Sequence, residues 1–186
     1  MNIEKVRNLV ELSKQGDTAA FRKLVETCQP FVFRLAFRLL CSDDEAKDIV
    51  QETFIRVWLN LNKYKNNARF STWLYKIACN LCYDRLRAMK RSYTTNIDLS
   101  ELDLADGNDI EKSVINSDLA EWITTLTNEL TPKQRLVFML RDIEEMELDE
   151  VKEITGMSGA KIKSNLYLAR QYIKKRIKND ELRIKN

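Results

Sequence analysis

Apolar residues recur at every third or fourth position along most of the chain and seldom alternate, so the sequence predicts helices rather than strands. Residues 3–14 are amphipathic through Val6, Leu9, Val10 and Leu12, and Gly16 ends them. Asp17 or Thr18 caps a second helix, which runs to about Thr27. Pro30 opens a third over 31–40, apolar on most sides and so a core element. Asp43 or Asp44 caps a fourth, over about 45–61. It turns Ala46, Ile49, Val50, Phe54, Val57 and Trp58 inward and shows Lys47, Asp48, Gln51, Glu52 and Arg56 outward. A polar loop over 63–69, with Asn66 and Asn67 as turn residues, leads into a long helix over about 72–90. That helix carries Trp73, Leu74, Ile77, Ala78 and Leu81 on its apolar side, and Lys76, Asn80, Asp84, Arg85 and Arg87 elsewhere. Periodicity lapses over 92–116, where Asn, Asp, Ser and Thr accumulate, as in a linker. It returns over 119–126 and again over 132–143. There Thr131 caps, Pro132 takes the first helical position, and Gln134 stands where a capping box needs it.

The stretch 147–173 reads as helix, tight turn and helix. Leu148, Val151 and Ile154 give the first helix its apolar face, and Gly156 stands where the chain must enter the left-handed region. Met157 packs inward and Ser158 caps the second helix, whose buried stripe is Ile162, Leu166 and Ala169. Its other faces carry Lys161, Lys163, Ser164, Asn165, Tyr167 and Arg170, donors suited to phosphates and base edges in a major groove. A packed helical hairpin with a solvated face fits the same pattern. The basic run that continues the helix favours DNA, with nine Lys or Arg against two carboxylates between 161 and 186.

Charge is segregated along the chain, although the net charge of the 186 residues is only +3. Residues 63–93 carry eight cations against Asp84, whereas 94–130 carry nine carboxylates against Lys112. Two basic blocks around an acidic one suggest two nucleic-acid surfaces and a spacer. Trp73, Phe70 and Tyr75 lie among the cations of the first block, as stacking of single-stranded bases requires. Aromatic residues at helical spacing also serve as core, and the pattern leaves both readings open. The chain has no histidine, no second CxxC beside Cys79 and Cys82, and no glycine-rich phosphate loop. The CxxC therefore reads as one turn of apolar helix face, and no metal, cofactor or catalytic residue is expected. No stretch is long and apolar enough to span a membrane, and the N-terminal residues are too charged for a signal peptide, so a cytoplasmic location is expected.

Two runs together point to a family. The segment over 44–87, with DIVQETFIRVW and FSTWLYKIACN inside it, resembles region 2 of bacterial RNA polymerase sigma factors. The run over 130–173, beginning LTPKQRLVFMLRDIEEMELDEVKEITG, resembles their region 4. With only these two regions and a short linker, the chain resembles the extracytoplasmic-function (ECF) class.

The resemblance implies an all-α protein of two small helical domains. Residues 1–91 would be the region 2 bundle, 92–116 an acidic linker, and 117–180 the region 4 helix-turn-helix. It implies docking on RNA polymerase core, at the β′ clamp and the β flap, with Asp48, Gln51, Glu52 and Phe54 at the clamp. Asn66, Asn67, Arg69, Phe70, Trp73, Lys76 and Asn80 would capture and melt the −10 element. Ser158, Lys161, Lys163, Ser164, Asn165, Tyr167 and Arg170 would meet the −35 duplex, with Lys161 and Arg170 on phosphates. A separate anti-sigma factor is implied as regulator. Lys152 departs from the family, which has a small residue there, and puts the packing of the two helices of the motif in question. Asn165 and Leu168 stand where the family often carries Arg, which implies a different −35 sequence. The function implied is promoter-directed transcription initiation. The alternative is a helix-turn-helix regulator that acts without docking on polymerase.

Overall fold

The computed structural model describes residues 3–65, 69–94 and 129–184, with side chains to residue 89 in the second stretch and 178 in the third. The expected turn residues Asn66 and Asn67, most of the expected linker and the expected helix at 119–126 lie outside the described residues. All regular elements among the described residues are helical. The chain divides into two compact units, Met1–Asp106 and Gly107–Asn186.

In the first unit, α1 (Ile3–Lys14), α2 (Thr18–Leu40), α3 (Asp43–Asn60) and α4 (Phe70–Thr94) pack around α2, which touches the other three. Asp17 caps α2 by accepting the Ala20 N–H at 2.9 Å. The α2 helix does not break at Pro30, contrary to the expectation of two helices. The proline is exposed, so the Glu26 carbonyl left without a backbone donor is on the solvent side. Leu24, Cys28, Val32 and Ala36 on the other side are fully buried, and that packing carries the helix through. The cap of α3 lies ahead of both expected residues, Asp43 and Asp44. It is Ser42, which accepts the Glu45 N–H at 3.4 Å. Asp43, Asp44 and Glu45 then occupy the first turn, where the helix dipole favours carboxylates.

Ala46, Ile49, Val50, Phe54 and Val57 are buried as expected, but Trp58 is not, at 40 % exposed with its ring tilted against Phe21 at 4.6 Å. Leu12, expected inward, is also at the surface. A Lys-free run such as VWLN offers more apolar residues than one face can bury, and Val57 takes the inward place. The α4 helix is longer than expected at both ends. Leu74, Ala78, Cys79, Leu81 and Cys82 line its buried side, and Arg85 pairs with Glu45 to tie α4 to the start of α3.

The second unit has α5 (Pro132–Phe138), a π-helical turn (Met139–Ile143), α6 (Leu148–Thr155) and α7 (Gly159–Ile184). The Thr131 capping box forms as expected. The expected single helix over 132–143 instead widens after Phe138, where the Glu144 N–H reaches the Met139 carbonyl at 2.9 Å. The wider turn brings consecutive side chains closer to one face, and Met139 and Leu140 are both buried. Glu145 then takes a left-handed φ of 51° and Met146 turns back under the motif, where its carbonyl accepts from Arg141. Gly156 has a φ of 67° and closes α6 by donating to the Lys152 carbonyl at 2.8 Å. Ser158 accepts the Lys161 N–H at 3.4 Å and starts α7. Lys152 is accommodated because the residue opposite is Gly159, where an added Cβ would come within 3.1 Å of the Lys152 Cε. The small residue of the contact has moved to the other helix, and the Lys152 ammonium reaches out to Asp149 at 2.7 Å.

Candidate nucleic-acid and protein interfaces

The outer face of α3 is the first candidate. Asp48 and Gln51 are exposed, and Glu52 is half-buried, accepting the Arg56 Nε at 2.8 Å one turn on. Phe54, expected on the same docking face, is only 6 % exposed and belongs to the core. It forms the floor of an open apolar groove between α2 and α3, with Phe21, Val25, Val50, Ile55 and Trp58. Ile55 and Leu59 continue the Asp48–Glu52 stripe at helical spacing and stand 46 % and 70 % exposed. Sequence reading did not single them out, although their spacing from Asp48 carries that signal.

The second candidate is the start of α4. Arg69, Trp73, Lys76 and Asn80 fall at intervals of four, three and four, so they form one stripe. Arg69, Lys76 and Asn80 are exposed and Trp73 is half-buried. Phe70 is buried and serves the core rather than a base. Tyr75 is likewise buried. Phe70 and Trp73 pack with Tyr64, at centroid distances of 5.6 Å (Phe70–Tyr64), 5.2 Å (Trp73–Tyr64) and 5.8 Å (Phe70–Trp73). Tyr64 was not anticipated. It closes the cluster with the Lys14 ammonium 5.2 Å from its ring, and burial raises its phenol pKa.

The third candidate is α7. Ile162 and Ala169 are fully buried, which turns Ser164, Tyr167 and Gln171 directly outward, with Lys161 and Lys163 on the flanks. Tyr167 is 63 % exposed, and Leu168 beside it is also at the surface. Gln171 was missed by sequence reading, yet it follows Tyr167 by one turn on the same stripe. Ser158 has its oxygen engaged by the cap but keeps a hydroxyl proton to donate. The Asn165 amide nitrogen donates to the Lys161 carbonyl at 2.8 Å, leaving its oxygen as an acceptor. Arg170 is not a free cation. Its Nε and Nη2 meet the two Asp142 oxygens at 2.8 and 2.6 Å, and that pairing raises its pKa.

The thiols of Cys79 and Cys82 are free and buried in α4, and burial raises both pKa values, that of Cys82 to about 12. Such thiols carry almost no thiolate at neutral pH. Among the described residues no group of three or more Cys, Asp or Glu could hold a metal ion, and no helix is long and apolar enough to cross a membrane.

Comparison with known proteins places these surfaces in context. Residues 24–92 match the sigma-70 region 2 family and residues 120–173 the sigma-70 region 4 family. The chain is 31 % identical over 182 residues to the ECF RNA polymerase sigma factor SigW of Bacillus subtilis, covering 94 % of this chain and 97 % of that protein. It is 28 % identical over 177 residues to the ECF RNA polymerase sigma-E factor of Haemophilus influenzae, covering 91 % and 93 %. In fold it resembles the sigma factor RpoE of Bartonella quintana, solved with the anti-sigma factor NepR. There the TM-score is 0.67 at 22 % identity, over 85 % of this chain and 96 % of that one.

Proposed function

The chain belongs to the sigma-70 family, in its ECF group, and from that premise we propose how its surfaces divide the work of initiation. As a sigma factor it binds RNA polymerase core and directs it to promoters. Residues 1–91 form the core-docking and −10 unit, 92–116 the spacer and 117–180 the −35 unit. The α3 stripe of Asp48, Gln51 and Glu52, with Ile55 and Leu59 beside it, docks on the β′ clamp through carboxylate–cation pairs and apolar contact. Arg69, Trp73, Lys76 and Asn80 hold the unstacked −10 strand, with the ring stacking on a base and the cations on phosphates. Asn66 and Asn67 contribute from the preceding loop. The outward stripe of α7 enters the −35 major groove, where Lys163, Ser164 and Tyr167 meet base edges. Ser158, Lys161 and Asn165 bind along the groove walls. The region 4 unit also rests on the β flap. The chain catalyses nothing; RNA synthesis belongs to the polymerase, in the cytoplasm. An anti-sigma factor holds the chain in reserve.

The observation that carries this reading over a regulator using the helix-turn-helix alone is the α4 stripe. It is an exposed cationic and aromatic row in a unit separate from the helix-turn-helix, which a duplex-binding regulator does not need. Run-off transcription with purified core polymerase on a genomic library tests it. Defined start sites that depend on this chain are expected. Sequence-specific duplex binding with no core-dependent transcripts would favour the regulator.

A further inference from the structure

We propose that Asp142 is a positioning residue for −35 recognition, which aims Arg170 and cancels its charge so that the contact depends on geometry rather than on net attraction. The inference rests on the reading of the second unit as the −35 binder. Asp142 lies in the π-helical turn and Arg170 in the fourth turn of α7, 28 residues apart in sequence. The carboxylate takes the Nε proton and one Nη2 proton of the guanidinium, at 2.8 and 2.6 Å. A guanidinium has five donors, so both Nη1 protons and the second Nη2 proton remain on the opposite edge. That edge is a planar fork of the kind that grips a phosphate, and Arg170 is more than half exposed. The Asp142 side chain is only 20 % exposed and is held by the turn itself, where Arg141 donates to the Met146 carbonyl and Met139 and Leu140 are buried. The π-helical turn therefore fixes the carboxylate, and the carboxylate fixes the cation.

Two consequences separate this from a plain phosphate contact. A lone arginine adds a full charge to DNA of any sequence and releases about 0.9 counterion. A paired arginine adds little net charge, so it contributes little to non-specific binding and acts only where the backbone meets its fork. Asp142 thereby raises the ratio of promoter to non-promoter binding.

The test uses holoenzyme reconstituted from core polymerase and full-length chain, with its binding to a selected −35 duplex and a scrambled one measured across a range of salt. Asp142→Asn is expected to steepen the salt slope on scrambled DNA by about 0.9 unit and to lower the promoter-to-scrambled ratio. The double variant Asp142→Asn with Arg170→Ala, which removes both charges of the pair, is expected to keep the wild-type slope on scrambled DNA while losing part of the promoter preference. Asp142→Glu should restore part of the ratio. A purely structural ion pair predicts a lower melting temperature for Asp142→Asn with both slopes unchanged, and that result overturns the proposal. So does a slope loss of about 0.9 unit for the double variant. A wild-type holoenzyme with no preference for the selected duplex would overturn the −35 reading itself, whereas an intact preference with unchanged slopes removes only the role of Asp142.

Discussion

Single side chains decide which surfaces of this protein are free to bind and which are occupied. Asp48 is exposed on the α3 stripe, and no hydrophobic residue depends on its position. Reversing its charge in Asp48→Arg should leave the fold intact and weaken core binding, because an attraction across the interface becomes a repulsion. A pull-down titration against core polymerase reads this directly, and unchanged affinity would remove Asp48 from the dock. Phe54 differs in kind. At 6 % exposed it supports the groove from below, so Phe54→Ala should lower the melting temperature as well as affinity and cannot isolate docking. Thr53, its neighbour, is fully buried and its hydroxyl has no hydrogen-bond partner. An unsatisfied buried hydroxyl costs stability that an isosteric methyl does not. Thr53→Val should therefore stabilise the first unit by about 1 kcal/mol, read from urea midpoints at unchanged m-value. A destabilised Thr53→Val would mean that the hydroxyl finds a partner in solution.

Among the elements, the motif turn shows how far local sequence can carry a prediction. Gly156 sits at a φ of 67°, with nothing within 4 Å of where a Cβ would stand. Gly156→Ala therefore introduces no clash, only the backbone cost of the left-handed region, roughly 1–2 kcal/mol, and calorimetry of the second unit should show it. Gly159 is the reverse case, helical in backbone but crowded by the Lys152 stem. The sequence announced Gly156 through its place after an apolar helix face. It also flagged Lys152 as out of pattern, but not that Gly159 compensates, because that contact joins two helices. The same boundary holds elsewhere. Caps at Thr131 and Ser158 were legible, and Asp17 was one of two candidates, because each acts within three residues, although Ser42 was passed over for the two acids that follow it. Pro30 was misread as a break because local rules weigh a lost hydrogen bond but not the buried Cys28 and Val32 around it. Trp58 was placed inward because periodicity allots faces without counting how much each can hold. The π-helical turn had no local signature, and with it the Asp142–Arg170 pair was invisible. Stripes along one helix were therefore readable at the site, whereas side chains that reach across from another element were not.

The whole molecule inherits its pH response from composition and its division of labour from having two units. No histidine occurs in the chain, so no side chain has its ordinary pKa between pH 5.5 and 8, and stability should be flat there. Alkaline pH is different. Burial pushes the Cys28 and Cys82 thiols from the ordinary value of 9.0 to about 12. Each keeps its proton in the folded state and loses it in the unfolded chain above pH 9, so unfolding releases protons. Stability should be fully present below pH 9 and fall as pH rises from there towards 12, by up to about 1.4 kcal/mol per pH unit for each thiol. Urea midpoints should show this decline, and Cys82→Ala, less stable at pH 7, should decline less steeply. The two-unit organisation leads to a further expectation about initiation. Asn80 lies on α4 of the first unit and Lys163 on α7 of the second. Asn80→Ala should leave duplex binding intact and reduce open complexes, measured by permanganate reactivity of −10 thymines. A promoter with its −10 segment already unpaired should restore much of that loss, since opening no longer has to be driven. Lys163→Ala should cost roughly 1–3 kcal/mol at the −35 step and relax preference at one position, and an unpaired −10 segment should not restore the preference. Because residues of separate units that serve separate steps act independently, the double variant should lose the sum of the two free energies to within about 0.5 kcal/mol. A double variant no worse than the poorer single one would mean that both residues serve one step, and the assignment of opening to the first unit and −35 reading to the second would fail.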